Sequence, residues 1–323
     1  MEGAPPLRKP ILKSILFFLP LAVLLVVLGP LFQPKDNTSA AGRLDTDPTA
    51  ILSQPENSID LLFLGDSEAY SGFVPLELWQ NTGIASFVCA SVDQKPFETL
   101  EFLKTALKNQ SPKAVVLETN VLYRVYSRMD LIEPTAQKLF PLLRYHDRWK
   151  ELSLRDFSAP HYTGEYPDRG YHLLTKADPL EDLTGYMAPM EEWEPLSNAN
   201  RSSLQDLYNL CIENNIQLIL YSVPSPQNWT VRRHNTMEDL SRELGIPYLD
   251  GNLLDLGIDW QTDTYDRGDH LNYFGAVKVT QNLGLWLQEN LPLPDHRGEP
   301  GYALWDRDLS TLPSRLAAKA QEE

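Results

Sequence analysis

Cysteine is nearly absent from this 323-residue chain: Cys89 and Cys211 are its only two. Both fall in apolar strand-like or helix-like contexts, which excludes a disulfide framework and points to two buried thiols. Positive charge is also scarce, 28 Lys and Arg against 44 Asp and Glu for a formal charge of −16. No basic patch interrupts that excess, so a nucleic-acid partner is excluded. The six histidines are scattered without metal-ligand spacing, and there is no glycine-rich phosphate loop of the Walker kind. The reading is therefore no metal and no cofactor. Internal repeats are missing, and only one long hydrophobic run exists.

That run spans Ser14 to Phe32, nineteen uncharged residues preceded by Arg8, Lys9 and Lys13. At about 1.5 Å per residue it reaches roughly 28 Å, enough to cross a hydrocarbon core. The basic flank assigns residues 1–13 to the cytoplasmic side and everything after Phe32 to the outside. The expectation is a single-pass cell membrane protein with an extracytoplasmic C-terminal domain. A cleaved signal peptide is the competitor, since Thr38-Ser39-Ala40-Ala41 offers small residues, but these lie well beyond the apolar run. Residues 33–57, rich in Pro, Asp, Ser and Thr, read as a tether.

Beyond the tether, Ile59-Asp-Leu-Leu-Phe-Leu64 is an apolar run of strand length that stops at Gly65-Asp66-Ser67. Further strands are expected at Ala85–Cys89, Lys113–Leu117, Gln217–Val223 and Pro247–Asp250, with helices at 97–109, 201–214, 231–244 and 274–290. The alternation implies an α/β fold with a parallel sheet and right-handed crossovers over residues 58–291. Residues 121–197 break the rhythm and read as an aromatic-rich, partly helical insertion over the carboxyl edge of the sheet. Within it, Tyr145, His146 and Trp149 could stack on sugar, with ordinary loop packing as the plainer account. Residues 292–323, rich in Pro and charge, read as a surface-bound or loose tail.

Ser67 follows the first strand, and His270 sits in Asp266-Arg267-Gly268-Asp269-His270-Leu271-Asn272 after the last. In a parallel sheet both loops open on one edge, so residues some two hundred apart can meet. A serine, an imidazole that takes its proton and an acid that orients the imidazole make an acyl-transfer triad. Taken singly, Ser67 could be a helix N-cap and His270 a loop histidine bonded to backbone. Asp266 can fold back across the turn containing Gly268. Asp269, the alternative acid, is adjacent on an extended segment and diverges from His270. Asp66 reads as turn geometry. Oxyanion donors are expected among the Ser67 N–H, a backbone N–H at Ala90 or Ser91, and the Asn120 amide, whose other role would be a cap.

Gly65-Asp66-Ser67 together with Asp-Arg-Gly-Asp-His-Leu-Asn resembles the SGNH/GDSL hydrolase superfamily over about Ile59–Asn290. It is most similar to the membrane-anchored bacterial branch containing teichoic acid D-alanine transfer and alginate O-acetylation proteins. The resemblance implies a flavodoxin-like three-layer α/β/α sandwich, with Ser67 as nucleophile, His270 as base and Asp266 as acid. It also implies short acyl groups on cell-envelope polysaccharide, and a membrane O-acyltransferase partner that supplies them. The chain departs from the family at its second block, Cys89-Ala90-Ser91 in place of a glycine, and at its third, Glu118-Thr119-Asn120 in place of Gly-x-Asn-Asp. Arg267 stands where the family's acid lies, three residues before the histidine. The G-x-S-x-G pentapeptide of α/β-hydrolases is absent. The expected function is a serine acyl-esterase or O-acetyltransferase. The alternative is a non-catalytic, polysaccharide-binding accessory protein of an O-acylation complex.

Overall fold

The computed structural model describes residues 8–43, 46–126 and 140–323. Residues 1–7 of the expected cytoplasmic segment and 127–139 of the expected insertion lie outside these. The chain divides into two compact units: residues 1–44 with 126–164, and residues 45–125 with 165–323.

The larger unit is built on five short strands: β1 Leu61–Gly65, β2 Ser86–Ala90, β3 Ala114–Glu118, β4 Gln217–Ser222 and β5 Tyr248–Asp250. All pairings are parallel and the order is β2-β1-β3-β4-β5. Every residue of β1, β2 and β3 is buried, because helices cover both faces. Alternation along β1 divides the core: Leu62 and Leu64 face one apolar cluster, Leu61 and Phe63 the other. The sheet is therefore the middle of three layers. Strand order reverses between β1 and β3, which opens a crevice at their carboxyl ends, the place where such sheets bind ligands.

In chain order the helices of the described residues are α1 Arg8–Phe32, α2 Thr46–Thr49, α3 Ser67–Gly72, α4 Pro75–Thr82, α5 Pro96–Ala106, α6 Asn198–Glu213, α7 Val231–Leu244, α8 Tyr273–Asn290 and α9 Ala303–Glu322. Helix α1 carries a 22-residue segment, Ile11–Phe32, apolar and long enough to cross a membrane. Leu103 of α5, Leu204 and Leu207 of α6 and Met237 of α7 pack on the Leu62 side of the sheet. Phe73, just after α3, and Val279, Leu283 and Leu287 of α8 pack on the Phe63 side.

Three segments differ from the sequence expectation. The tether is shorter than residues 33–57: Ala50 and Ile51 are fully buried in the core, and the Asn109 amide donates to the carbonyls of Leu52 and Ile51 at 3.4 and 3.5 Å. The tail is not loose, since α9 carries Trp305, Leu309, Leu312 and Leu316 at helical spacing on one face. Trp305 stacks on Trp79 at 5.1 Å between ring centroids, with the Arg169 guanidinium 4.7 Å from its ring. The insertion belongs to both units. Residues 165–197 have no regular structure up to Ser197 and are tied down by backbone bonds, His172 N–H to Tyr70 O at 2.9 Å and Leu180 N–H to Trp260 O at 2.9 Å. Residues 140–157 form three 3₁₀ turns in the smaller unit.

Candidate active site

Gly65 ends β1 where nothing larger fits: a Cβ there would lie 2.8 Å from the Cβ atoms of both Ala69 and Glu118. This close approach lets the chain turn from β1 directly into α3. Asp66 caps that helix by accepting the Glu68 N–H at 3.1 Å, and Ser67, the first helical residue, is 5% exposed.

The histidine arrives on a small hairpin. Thr264 bridges Leu271 in antiparallel fashion, and Tyr265 N–H donates to His270 O at 2.9 Å. Arg267 and Gly268 have φ of 59° and 83°, the paired left-handed residues of a type I′ turn. Across this turn Asp266 folds back onto the histidine. One carboxylate oxygen lies 2.7 Å from His270 Nδ1, and the other accepts the His270 backbone N–H at 2.6 Å. Asp269 Oδ1 is farther from Nδ1, at 3.8 Å, and accepts from the Asn228 amide at 2.5 Å.

The two loops meet. A ring nitrogen of His270 lies within 4.8 Å of a carboxylate oxygen of Glu68, the residue after Ser67. With Asp269 these groups could offer three ligand atoms to a cation. The Asn228 amide nitrogen, however, already bridges the two acids, donating to Glu68 Oε1 at 2.7 Å and to Asp269.

The expected oxyanion residues divide. Asn120, 5% exposed at the carboxyl end of β3, has its amide oxygen held by Arg233 Nη1 at 3.1 Å, and its nitrogen points to Asp66 at 3.4 Å. Ala90 is fully buried beside Gly65 in the β1–β2 register. The Ser91 hydroxyl donates to Gln94 at 3.1 Å. Tyr145, His146 and Trp149 belong to the smaller unit, whereas Ser67, Asp266 and His270 belong to the larger.

Sequence reasoning missed Arg124. Its guanidinium pairs with Asp66 at 2.5 Å through Nε and with Asp93 at 2.9 Å through Nη1, and its Nη2 lies 3.5 Å from Ser67 Oγ. Asn200 holds the backbone that carries it, donating to the Leu122 and Arg124 carbonyls at 2.6 and 3.0 Å. Asp66 is accordingly more than turn geometry: it caps α3 and anchors the one cation beside the serine among the described contacts of Ser67. The clue available in the sequence was a single basic residue just past the end of β3, on the sheet edge that carries Asp66, Glu68 and Glu118.

Three carboxyls, Asp66, Glu68 and Glu118, are buried together. Burial raises the pKa of Glu68 well above the usual range, and the neighbouring Glu118 and Asp66 charges add to it. Burial likewise pushes Glu118 up, as does Asp66, while Asp66 itself is raised by burial against the pull of Arg124. Glu68 Oε2 is buried with no hydrogen-bond partner, consistent with a neutral acid. For His270, burial lowers the pKa, but the Asp266 hydrogen bond and the charges of Asp269, Asp266 and Asp66 outweigh it and leave it raised. Burial opposes ionisation of Asp266, yet its bonds to His270 hold it below the ordinary carboxylate value.

Glu68→Gln tests the buried acid. A carboxyl whose folded pKa is raised stabilises the fold fully below its unfolded value of 4.5 and loses that contribution as pH rises toward the folded pKa. Gln cannot ionise. The variant should match the parent near pH 4 and exceed it by at least about 1 kcal/mol at neutral pH in denaturant unfolding. A parent that stays ahead at neutral pH would mean Glu68 is ionised in the fold.

A groove of about 570 Å³ lined by Lys113, Ile216, Gln217, Leu291 and Leu293 lies by the amino ends of β3 and β4. That is the edge opposite Ser67, away from the carboxyl ends where open sheets place their chemistry.

No protein-family model matches the chain, and no curated protein matches it. Solved structures do. The lipase/acylhydrolase from Enterococcus faecalis is 11% identical with a TM-score of 0.39, the match covering 73% of this chain and 98% of that one. The GDSL-like lipase from Bacteroides thetaiotaomicron is 12% identical with a TM-score of 0.38, covering 75% and 95%.

Proposed function

We propose that this protein is a membrane-tethered, extracytoplasmic serine acyl-esterase or O-acetyltransferase acting on cell-envelope polysaccharide, with Ser67, His270 and Asp266 as its triad. The observation that carries this reading is the double grip of Asp266 on His270, at Nδ1 and at the backbone N–H, on the sheet edge that bears Ser67. A carboxylate accepting the Nδ1 proton leaves Nε2 as the basic nitrogen.

In the reaction, Ser67 Oγ attacks the acyl carbonyl while His270 Nε2 takes the hydroxyl proton. The carbonyl oxygen becomes an oxyanion, and the imidazolium is held by Asp266. Arg124 Nη2, the Ser67 N–H, Asn120 and the N–H groups at Ala90 and Ser91 are the candidate donors to that oxyanion. Collapse breaks the ester bond, and His270 returns its proton to the departing oxygen, leaving an acyl-serine. In the second half His270 deprotonates water or a sugar hydroxyl, which attacks the acyl carbon and frees Ser67. Water gives an esterase, and a sugar gives a transferase. Positioning of the acceptor and exclusion of water decide between them.

The apolar α1 supports the tether, and the envelope location that follows favours large surface polymers as substrates. A membrane O-acyltransferase would supply the acyl group. To divide the two outcomes, the full chain is given an activated acetyl ester with and without acetyl-free oligosaccharide. Acetylated oligosaccharide supports transfer. Free acetate at the same rate in both reactions sinks the transferase version, and no acetyl turnover in either sinks catalysis.

A further inference from the structure

Residues 140–158 belong to the same compact unit as α1 and pack against its outer end. The three 3₁₀ turns Pro141–Leu143, His146–Lys150 and Leu154–Phe157 each touch the helix. The seating is specific. Gly29 is buried under Pro141, and a Cβ there would come within 2.8 Å of the proline ring. Arg148, paired with Asp156 at 2.5 Å, donates to the carbonyl of Phe32 at 2.7 Å and so closes the last turn of α1. Gly29 lies three residues before Phe32, or about 4.5 Å deeper at a helical rise of about 1.5 Å per residue. These turns therefore stand at the level where the apolar span ends.

Their outward face is apolar to a degree that water does not favour. Leu154 is 90% exposed, Phe157 72%, Trp149 62% and Leu143 57%. Lys150 and Arg155 are exposed among them, with the Lys150 amine 5.6 Å from the centroid of the Trp149 ring. From 140 to 158 the sequence carries four basic residues (Arg144, Arg148, Lys150, Arg155) against three acidic (Asp147, Glu151, Asp156), in a chain whose total is −16. An exposed Trp, Phe and Leu set with interleaved Lys and Arg, joined to the end of a spanning helix, has the chemistry of a lipid interface.

We propose that residues 140–158 form a collar that embeds in the headgroup layer of the bilayer where α1 emerges, with Leu143, Trp149, Leu154 and Phe157 reaching the acyl boundary and Lys150 and Arg155 the phosphates. This rests on the membrane-anchor reading of α1. Continuity with the span names the occupant as the surrounding lipid, and the near-neutral charge makes apolar insertion its main source of attachment. The collar adds a second hold at the point of exit and limits tilting of the helix at that end.

The test uses the full chain in phosphatidylcholine vesicles, with an environment-sensitive fluorophore on Leu154→Cys, Phe157→Cys or, within α1, Val23→Cys. Cys89 and Cys211 are buried and stay unlabelled in the folded protein. Labels at 154 and 157 should shift to the blue, lose intensity to nitroxide lipids spin-labelled near the headgroup, and resist aqueous iodide. Gly29→Leu, which unseats Pro141, should expose both to iodide while the label at 23 stays protected. If 154 and 157 are open to iodide while 23 is quenched by lipid, the collar is wrong and the anchor stands. If 23 is open as well, the anchor fails and the collar with it. Protection of 154 and 157 that survives Gly29→Leu would overturn the seating through Pro141.

Discussion

Ser67→Ala should lower kcat/KM for a small acetyl ester by about a thousandfold or more, with stability within about 1 kcal/mol of the parent. The catalytic half follows from the triad: without Oγ there is no acyl-enzyme, and the remaining donors can only polarise the carbonyl. The stability half follows from what the hydroxyl does in the fold. Among the described residues its hydrogen bond is the long one from Arg124, whose guanidinium is already held by Asp66 and Asp93. The helix start does not depend on it, since Asp66 supplies the cap. Hydrolysis of a chromogenic acetyl ester, alongside denaturant unfolding, checks both. An unchanged rate would move the protein to the accessory class, in which the domain binds polysaccharide and the serine is vestigial.

In the proposed reaction Arg124 and Ser67 have different roles. Arg124 touches Ser67 Oγ through Nη2 while two carboxylates hold its other nitrogens. Its charge is thus largely balanced, which suits a donor to a transient oxyanion better than a capture site for an anionic substrate. The same pairing helps three acids share one buried cluster: the cation offsets Asp66, while burial pushes the pKa values of Glu68 and Glu118 upward.

The strands were legible because both faces of the sheet are covered, so each strand reads as an unbroken apolar run such as Leu61-Leu-Phe-Leu64. The meeting of the Ser67 and His270 loops was legible because parallel strands send their carboxyl-end loops to one edge, and the contact of Asp266 with His270 because Gly268 marked a turn. Arg124, Asn200 and Asn228 were not. Each acts through contacts between loops far apart in sequence, and no local spacing encodes such a meeting. Asn200 is buried against the Arg124 turn and Asn228 bridges two site acids. Helix α9, in the segment read as a surface-bound or loose tail, carries a pattern that was partly hidden. Trp305, Leu309, Leu312 and Leu316 recur at helical spacing, but Pro313 and the surrounding charge masked the pattern. Residues 165–197 have no periodicity to read, since backbone bonds to Tyr70, Trp260 and Thr264 hold them rather than a repeating apolar face.

Asp266→Asn should cost about 10³–10⁴ in kcat and move the acid limb of the pH–rate profile downward. The proposed reaction requires neutral His270, so its rate rises with pH as the ring loses its proton. In the parent that limb lies above the ordinary histidine value of 6.5, because the Asp266 bond and the surrounding acids outweigh burial. Removing Asp266 takes away its hydrogen bond and its charge, so burial, which favours the neutral ring, is opposed only by Asp269 and Asp66 and the limb shifts to lower pH. The rate at the plateau falls for a different reason. Asn can present its amide nitrogen to Nδ1, which makes Nδ1 the acceptor, puts the proton on Nε2 and removes the base that the proposed reaction needs. Asp269→Asn is the control. Asp269 lies 3.8 Å from Nδ1 and contributes charge without a hydrogen bond to the ring, so its loss should lower the limb slightly and leave kcat within about tenfold. Initial rates across pH 5–9 for the three proteins decide the matter, and a large loss confined to Asp269→Asn would transfer the orienting role from Asp266 to its neighbour.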